Sequence, residues 1–203
     1  MTIERGKDWG ESAVLPGDGI VVATDDEARR VVERARRANT PVPPLGLLGG
    51  DLARTLGATG DEARLRDGRG MRFPIDLASV LLDGRQHWFV AHLIARRSWW
   101  RGRVLAVMNA EWLGPHDVAP GSHPNDGRLD VLDARVAAGQ RWRAWRRLRL
   151  GTHVPHPDID VRRVTAWHVE LDRPLDVWLD GTKIGRVRTL AVRVEPDALT
   201  VVV

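Results

Sequence analysis

Apolar residues change their spacing once along this chain, near residue 70, and the change separates two kinds of structure. Ile20 to Ala23 is a short unbroken apolar run behind the turn residues Gly17 to Gly19, as a buried strand requires. Thr24-Asp-Asp-Glu27 follows in the form of a capping box, in which the threonine oxygen and the glutamate each satisfy a free amide of the first helical turn. Ala28, Val31, Val32, Ala35 and Ala38 then recur at helical spacing, which leaves one apolar stripe and an arginine-rich outer face. Asn39 and Pro41 end that helix. Leu45 to Leu48 is apolar again, and Gly49-Gly50 leads into a short helical segment, Asp51 to Leu56, closed by Gly57. Strand, helix and strand in this order predict one parallel βαβ unit.

From about Gly70 the pattern alternates. Phe73 to Leu81 and His87 to Ile94 flank Asp83-Gly84, a hairpin signal, and a second Asp-Gly at Asp180-Gly181 reads as another hairpin tip. Further predicted strands are Val104 to Met108, Leu129 to Leu132, Val164 to Leu171, Leu175 to Leu179, Leu190 to Val194 and Leu199 to Val203. One helix, Ala137 to Leu150, interrupts them. A small α/β part is therefore expected before residue 70 and a β-rich part after it.

Composition narrows the function classes. The chain has 203 residues, 43% hydrophobic and 29% charged, and no apolar run reaches the roughly 18 residues of a membrane span. The opening MTIERGKDWG carries neither a secretory signal nor a transit peptide, which points to the cytoplasm. With no cysteine, disulfides, thiolate catalysis and cysteine-ligated metals are excluded. The pI of 10.7 exaggerates a net charge of only +4, because the chain has no tyrosine or cysteine and little else titrates below the arginine range. The positive charge is concentrated at Arg96, Arg97, Arg101 and Arg103 and again from Arg135 to Arg149, and both segments carry tryptophan pairs, Trp99/Trp100 and Trp142/Trp145.

Several stretches invite chemistry. Gly49-Gly50-Asp51 lies between a strand and a helix, where backbone amides can meet a phosphate; a plain connection is the simpler reading, and Asp51 would repel an anion unless magnesium lay between them. Pro124-Asn-Asp-Gly-Arg128 is turn chemistry by local rules. His153 and His156 have a spacing metal ligands use, but prolines keep them off a helix face and no third ligand is near in sequence. None of the four serines lies in Gly-x-Ser-x-Gly, so a hydrolase triad is unsupported. Gln140 to Leu150 interleaves arginines with tryptophans: the simplest reading is a surface helix with inward tryptophans and solvated arginines. The same helix suits an anionic membrane surface, through Trp142, Trp145, Arg146 and Arg149, and less well single-stranded nucleic acid.

Read in order, Pro44-Leu-Gly-Leu-Leu-Gly-Gly-Asp-Leu-Ala-Arg-Thr-Leu-Gly57, Ile75-Asp-Leu77, Ala119-Pro-Gly-Ser-His-Pro-Asn-Asp-Gly-Arg-Leu-Asp-Val131, Trp178-Leu-Asp-Gly181 and Val194-Glu-Pro-Asp-Ala-Leu199 resemble the diacylglycerol kinase family of soluble lipid kinases, which includes the sphingosine kinases. The resemblance implies an α+β protein in two parts: residues 1–70, a truncated α/β part similar to NAD kinases and diacylglycerol kinases, and residues 71–203, a β-sandwich-like lipid-kinase domain. It also implies ATP and Mg2+ as cofactors and a lipid hydroxyl as acceptor. On this resemblance Gly49, Gly50 and Asp51 fall in the nucleotide-binding region, Asp180 and Thr182 at the catalytic position, and Asp126 at a structural magnesium.

The sequence departs from the family where phosphoryl transfer is carried out. Ala23-Thr-Asp-Asp-Glu27 stands where the family has Gly-Gly-Asp-Gly-Thr, and Gly49-Gly-Asp-Leu-Ala53 is a shortened form of Pro-x-Gly-Thr-x-Asn-Asp-Phe-Ala. Asp180-Gly-Thr182 replaces Asp-Gly-Glu, and threonine cannot act as a carboxylate base at neutral pH. Asp126-Gly-Arg-Leu129 keeps the family's Asp-Gly-x-Leu. The expected function is a diacylglycerol-kinase-like protein with a degenerate ATP site that binds a lipid, an anionic membrane surface or a partner, peripheral at the membrane. The alternative is an active ATP- and magnesium-dependent lipid kinase. A second copy of the chain is a further possible partner, and nucleic acid is the least favoured.

Overall fold

The computed structural model describes residues 9–203. Strands β1 (Glu11–Ala13) and β2 (Ile20–Val22) precede helix α1 (Asp25–Arg37), and β3 (Leu45–Leu47) precedes the short helices α2 (Asp51–Thr55) and α3 (Glu62–Arg66). Strands then dominate: β4 (Gly70–Leu82), β5 (Arg85–Phe89), β6 (His92–Arg96), β7 (Val104–Met108), the two-residue β8 (Trp112–Leu113) and β9 (His116–Asp117), and β10 (Leu129–Ala134). Helix α4 (Ala138–Leu148) separates β10 from β11 (Ile159–Val164), β12 (Ala166–Leu179) and β13 (Thr182–Val202). The protein is thus mostly sheet with few helices. No helix among the described residues is long and apolar enough to cross a membrane.

Sheet order runs β1-β4-β13-β12-β6-β7-β10-β11, with β5 on β4, β3 on β13 and β2 on β3. β4 and β13 are antiparallel from Leu82 opposite Leu190 to Arg72 opposite Val202. The end of β13 also pairs in parallel with β3, Val201 opposite Leu45. One strand therefore serves both ends of the molecule. The apolar stripe of α1 consequently packs on a floor made by both segments: Ala28 and Val32 share a core with Leu45, Leu47, Ile75, Leu77 and Val201. A second core, including Leu93, Leu105, Leu129, Val177 and Leu179, lies inside the strands of the β-rich part.

Local chemistry explains the elements that match the sequence pattern. β2 and β3 are parallel, Ile20 opposite Leu45, with α1 between them. Both Asp-Gly tips carry positive φ at each residue, 47° and 79° at Asp83-Gly84 and 47° and 85° at Asp180-Gly181, as two-residue hairpins of this twist require. The predicted strand His87 to Ile94 is instead broken between Phe89 and His92, because a side chain from elsewhere takes the amides there, as described below. Val164 to Leu171 and Leu175 to Leu179 largely fuse into β12, and Leu190 to Val194 and Leu199 to Val203 into β13. Register shifts at Glu170/Leu175 and Glu195/Leu199 absorb Pro174 and Pro196, residues that cannot donate to a ladder.

Candidate functional site

The site grows from the first turn of α1. Thr24 Oγ1 accepts from the Glu27 amide at 3.2 Å and Glu27 Oε2 accepts from the Ala23 amide at 2.7 Å, so the predicted capping box is formed. Asp25 turns inward. Its Oδ2 accepts from the Asp51 amide at 2.6 Å and its Oδ1 from the Leu52 amide at 3.2 Å, so a carboxylate of the protein itself caps α2. Gly50, at φ 103°, makes this approach possible: a Cβ there would lie 2.5 Å from Asp25 Oδ1.

Asp51 continues the network. Its Oδ2 is 2.9 Å from Nε2 of His92, a residue 3% exposed, and its Oδ1 accepts from the Gly114 amide at 2.9 Å. Asp180, at the tip between β12 and β13, inserts its carboxylate into the break between β5 and β6, accepting from the amides of Val90 and Ala91 at 2.9 Å and of His92 at 3.0 Å. Thr182 faces the carboxylate of Asp26 beside the same helix start and helps to hold its pKa below the ordinary value. Residues far apart in sequence, Gly49 to Asp51 and Asp180 to Thr182, thus converge on one cleft at the N-terminus of α1.

Electrostatics follow from that crowding. Burial, reinforced by the charge of Asp180, pushes the Asp25 carboxyl up to about 7. Burial also raises the Asp180 carboxyl. For His92 burial opposes the charge, but the hydrogen bond to Asp51 and the charges of Asp180, Asp51 and Asp25 prevail and raise its pKa. Asp51 shows the converse: burial opposes its charge, while His92 and the Gly114 amide hold its pKa below the ordinary value.

Asp25, Asp51 and His92 bring ligand atoms within 4.8 Å of one another. Magnesium prefers an octahedral oxygen shell completed by water, and an imidazole suits transition metals better. Each oxygen of Asp25 and Asp51 already has a protein donor, one of them His92. Those oxygens keep further lone pairs, but His92, its pKa raised, stands on Asp51 as a proton donor where a magnesium ion would sit, so the arrangement as built does not fit magnesium. Nor does it fit the phosphates of ATP, because the first turn of α1 presents Asp25, Asp26 and Glu27 and its capping box is closed.

Asp126 lies apart from this cleft. It accepts from the Arg128 amide at 2.9 Å and is ion-paired with Arg163, whose Nε is also 3.2 Å from Asp130 Oδ1. A guanidinium therefore bridges the two carboxylates. Nearby, Asp76 accepts from the Gly127 amide at 2.6 Å and the Asp197 amide at 3.0 Å, and Asn125 Nδ2 donates to Asp197 Oδ1 at 2.8 Å. Three separate stretches of the family pattern meet at this buried aspartate.

Helix α4 has two faces. Trp142 is 59% exposed, and Arg146 and Arg149 point to solvent with it. Trp145 turns inward instead, its ring 4.3 Å from His116, 5.9 Å from Trp100 and 6.2 Å from Trp99. Beneath the helix lies an apolar cavity of about 110 Å³ walled by Trp99, Trp100, Leu132, Trp145, Leu148 and His153. His153 and His156 do not act together: the first lines this cavity, and Nδ1 of the second accepts from the Asp158 amide at 3.0 Å. Arg141, expected among solvated arginines, is buried and clasps three backbone carbonyls.

Sequence reasoning did not single out His92, Asp76 as a hub, Arg141 or Arg163. A histidine opening the apolar run His92-Leu-Ile-Ala95 was the available signal for the first. The arginines gave none, since a paired guanidinium and a solvated one look alike in sequence.

A family model described as the YegS C-terminal NAD kinase β-sandwich-like domain matches residues 62–203. Three solved structures of Bacillus anthracis proteins named as diacylglycerol kinases share the fold. The first has a TM-score of 0.69 at 15% identity, over 91% of this chain and 77% of that one. The second has a TM-score of 0.61 at 18% identity, over 91% and 75%, and the third 0.64 at 16%, over 91% and 77%. No curated protein matches. With more than half of its length matched, this chain belongs to the diacylglycerol-kinase-like family that carries the NAD-kinase-type β-sandwich-like C-terminal domain.

Proposed function

We propose that this chain is a non-catalytic member of its family, a truncated α/β nucleotide-kinase-like part up to about residue 70 joined to the β-sandwich-like part, and that it binds lipid at an anionic membrane surface. The observation that carries the reading is the state of the cleft: the oxygens of Asp25 and Asp51 are engaged by amides and by His92. Phosphoryl transfer is mostly positioning and charge neutralisation, by acidic groups that hold magnesium and by amides that cradle phosphates. Here the acidic groups already hold protein donors. Thr182 supplies no carboxylate to take a proton from an acceptor hydroxyl. Losing several such groups together costs many powers of ten in rate, at about 1.4 kcal/mol for each.

Lipid binding is supported by the cavity under α4 and by the helix's outer face. Trp142, Arg146 and Arg149 have the chemistry of an interfacial helix, where an anionic leaflet attracts each basic residue by about 1 kcal/mol.

An active kinase using ATP and magnesium is the second reading; the family fold supports it, and it requires Asp25 and Asp51 to give up the donors they hold here. Melting with and without millimolar magnesium-ATP separates the two, since a ligand that binds only the folded state stabilises it. The non-catalytic reading expects no change. A rise of several degrees that disappears in Asp51→Asn would overturn it. For the lipid half, sedimentation with phosphatidylglycerol-rich vesicles should remove the protein from solution; protein left in the supernatant would end that half.

A further inference from the structure

Arg141 is a buried cation without an ion-pair partner among the described residues. It is 7% exposed, and its Nε donates to the Val136 carbonyl at 2.8 Å, its Nη1 to the Trp99 carbonyl at 2.8 Å and its Nη2 to the Gly102 carbonyl. Three of the five guanidinium donors are thereby engaged, all by neutral oxygens. A guanidinium taken out of water and solvated by carbonyls alone remains electrostatically unfavourable until an anion approaches.

Arg141 stands in the wall between two spaces. One is the tryptophan-lined cavity beneath α4. The other is a pocket of about 370 Å³ that Arg101, Arg103 and Arg135 line together with the start of α4. Its charge is one-sided. Arg103 is bidentate on Asp133 at 2.8 and 2.7 Å, and Arg135 lies 3.7 Å from the same carboxylate, so two guanidiniums share one acid. Arg101 has no ion pair among the described residues, and Asp172 is the one carboxylate on the pocket's lining. An apolar slot beside an arginine pocket complements a molecule with an alkyl chain and an anionic head, and the guanidinium fork matches phosphate oxygens. The slot, at about 110 Å³, is smaller than the roughly 150 Å³ cavity that admits benzene. It takes a short stretch of one chain.

Strand geometry separates this place from the cleft. In the β6/β7 pair His92 lies opposite Met108 and Arg96 opposite Val104, and Val104 borders the slot. Four residues of strand are about 13 Å. A head group on Arg101 and Arg135 therefore lies at the far end of β7 from Asp51 and His92.

We propose that the pocket of Arg101, Arg103, Arg135 and Arg141, with the adjoining slot, binds a phosphate-headed lipid through its head group and a short stretch of one acyl chain. This rests on the lipid-binding reading above and adds the class of lipid and the place of its head.

The test uses the full chain and tryptophan fluorescence, with oleoyl lysophosphatidate and mono-oleoylglycerol, both below their micelle concentrations, and inorganic phosphate as a third ligand. The phosphate-headed lipid should bind at least about tenfold more tightly than the neutral one, a gap of about 1.4 kcal/mol. The gap should vanish in Arg101→Ala/Arg135→Ala, two exposed positions whose change leaves the fold intact, and persist in Arg85→Ala/Arg188→Ala. Inorganic phosphate alone should compete weakly, since it lacks the chain. Equal binding of the two lipids would overturn the proposal and leave the lipid-binding reading standing. No binding of either, with no vesicle sedimentation, would overturn both. Phosphate binding as tightly as the lipid would also overturn it, making the pocket an anion site. So would a gap untouched by the arginine changes, which would move the head group elsewhere.

Discussion

Replacing His92 by leucine removes the cation around which the cleft is organised while roughly keeping its volume. His92 is 3% exposed, its Nε2 is 2.9 Å from Asp51, and the charges of Asp180 and Asp25 also act on it. Removing one partner of a buried pair leaves an uncompensated charge and costs about 3–5 kcal/mol. At about 2–4 °C per kcal/mol for a chain of this size, the melting temperature should fall by roughly 10 °C. At this cluster two groups, His92 and Asp25, show how the deficit should vary with pH. His92 has a pKa raised above the ordinary 6.5, so its stabilisation is complete below that value and is lost as pH rises through the raised one. Asp25, raised from 3.8 to about 7, binds its proton more tightly in the fold, so its contribution is present at low pH and is lost as pH climbs towards 7. Both terms have the same sign. The deficit of His92→Leu against the native chain should narrow above neutrality, a difference in which the lowered pKa values of His116, His123 and His153 cancel. Urea denaturation at pH 5.5, 7 and 8.5 measures it. A deficit below about 1 kcal/mol, or one that widens with pH, would refute the view that His92 neutralises these carboxylates.

Two further substitutions probe the same region. Asp180→Ala leaves the amides of Val90, Ala91 and His92 unpaired, at about 1–3 kcal/mol each; the variant should fail to show a cooperative melt by circular dichroism, and a melt within a few degrees of native would contradict the role given to this carboxylate. Gly50→Ala forces a Cβ to 2.5 Å from Asp25 Oδ1 at φ 103° and should cost about 2 kcal/mol or more. Gly57→Ala, at φ 75° with nothing within 4 Å, should cost only about 1 kcal/mol in the same urea titration; equal costs would remove the argument from close approach.

The cleft and the Asp126 region share one device. Asp51 meets an imidazole, and Asp126 and Asp130 meet the guanidinium of Arg163. In each, a side-chain cation of the chain itself neutralises a carboxylate that the family resemblance assigns to the nucleotide or magnesium machinery. The protein carries its counter-ions covalently, and the carboxylates keep a structural use as caps and clamps.

What the sequence determined by itself was local. The capping box at Thr24 to Glu27, the parallel βαβ unit, both Asp-Gly hairpins and the helix α4 depend on neighbours within a few residues, where propensity and spacing act directly. The order of the family's stretches was legible for the same reason. The tertiary structure alone decided where carboxylates and cations meet: Asp180 finds its amides 88 to 90 residues away, Asp51 finds His92 41 residues away and Arg163 finds Asp126 37 residues away. It also decided that Trp145 faces in while Trp142 faces out, and that β12 and β13 run on through their prolines. Charge pairing and burial are set by which surfaces the sheet brings together, and no local pattern encodes that.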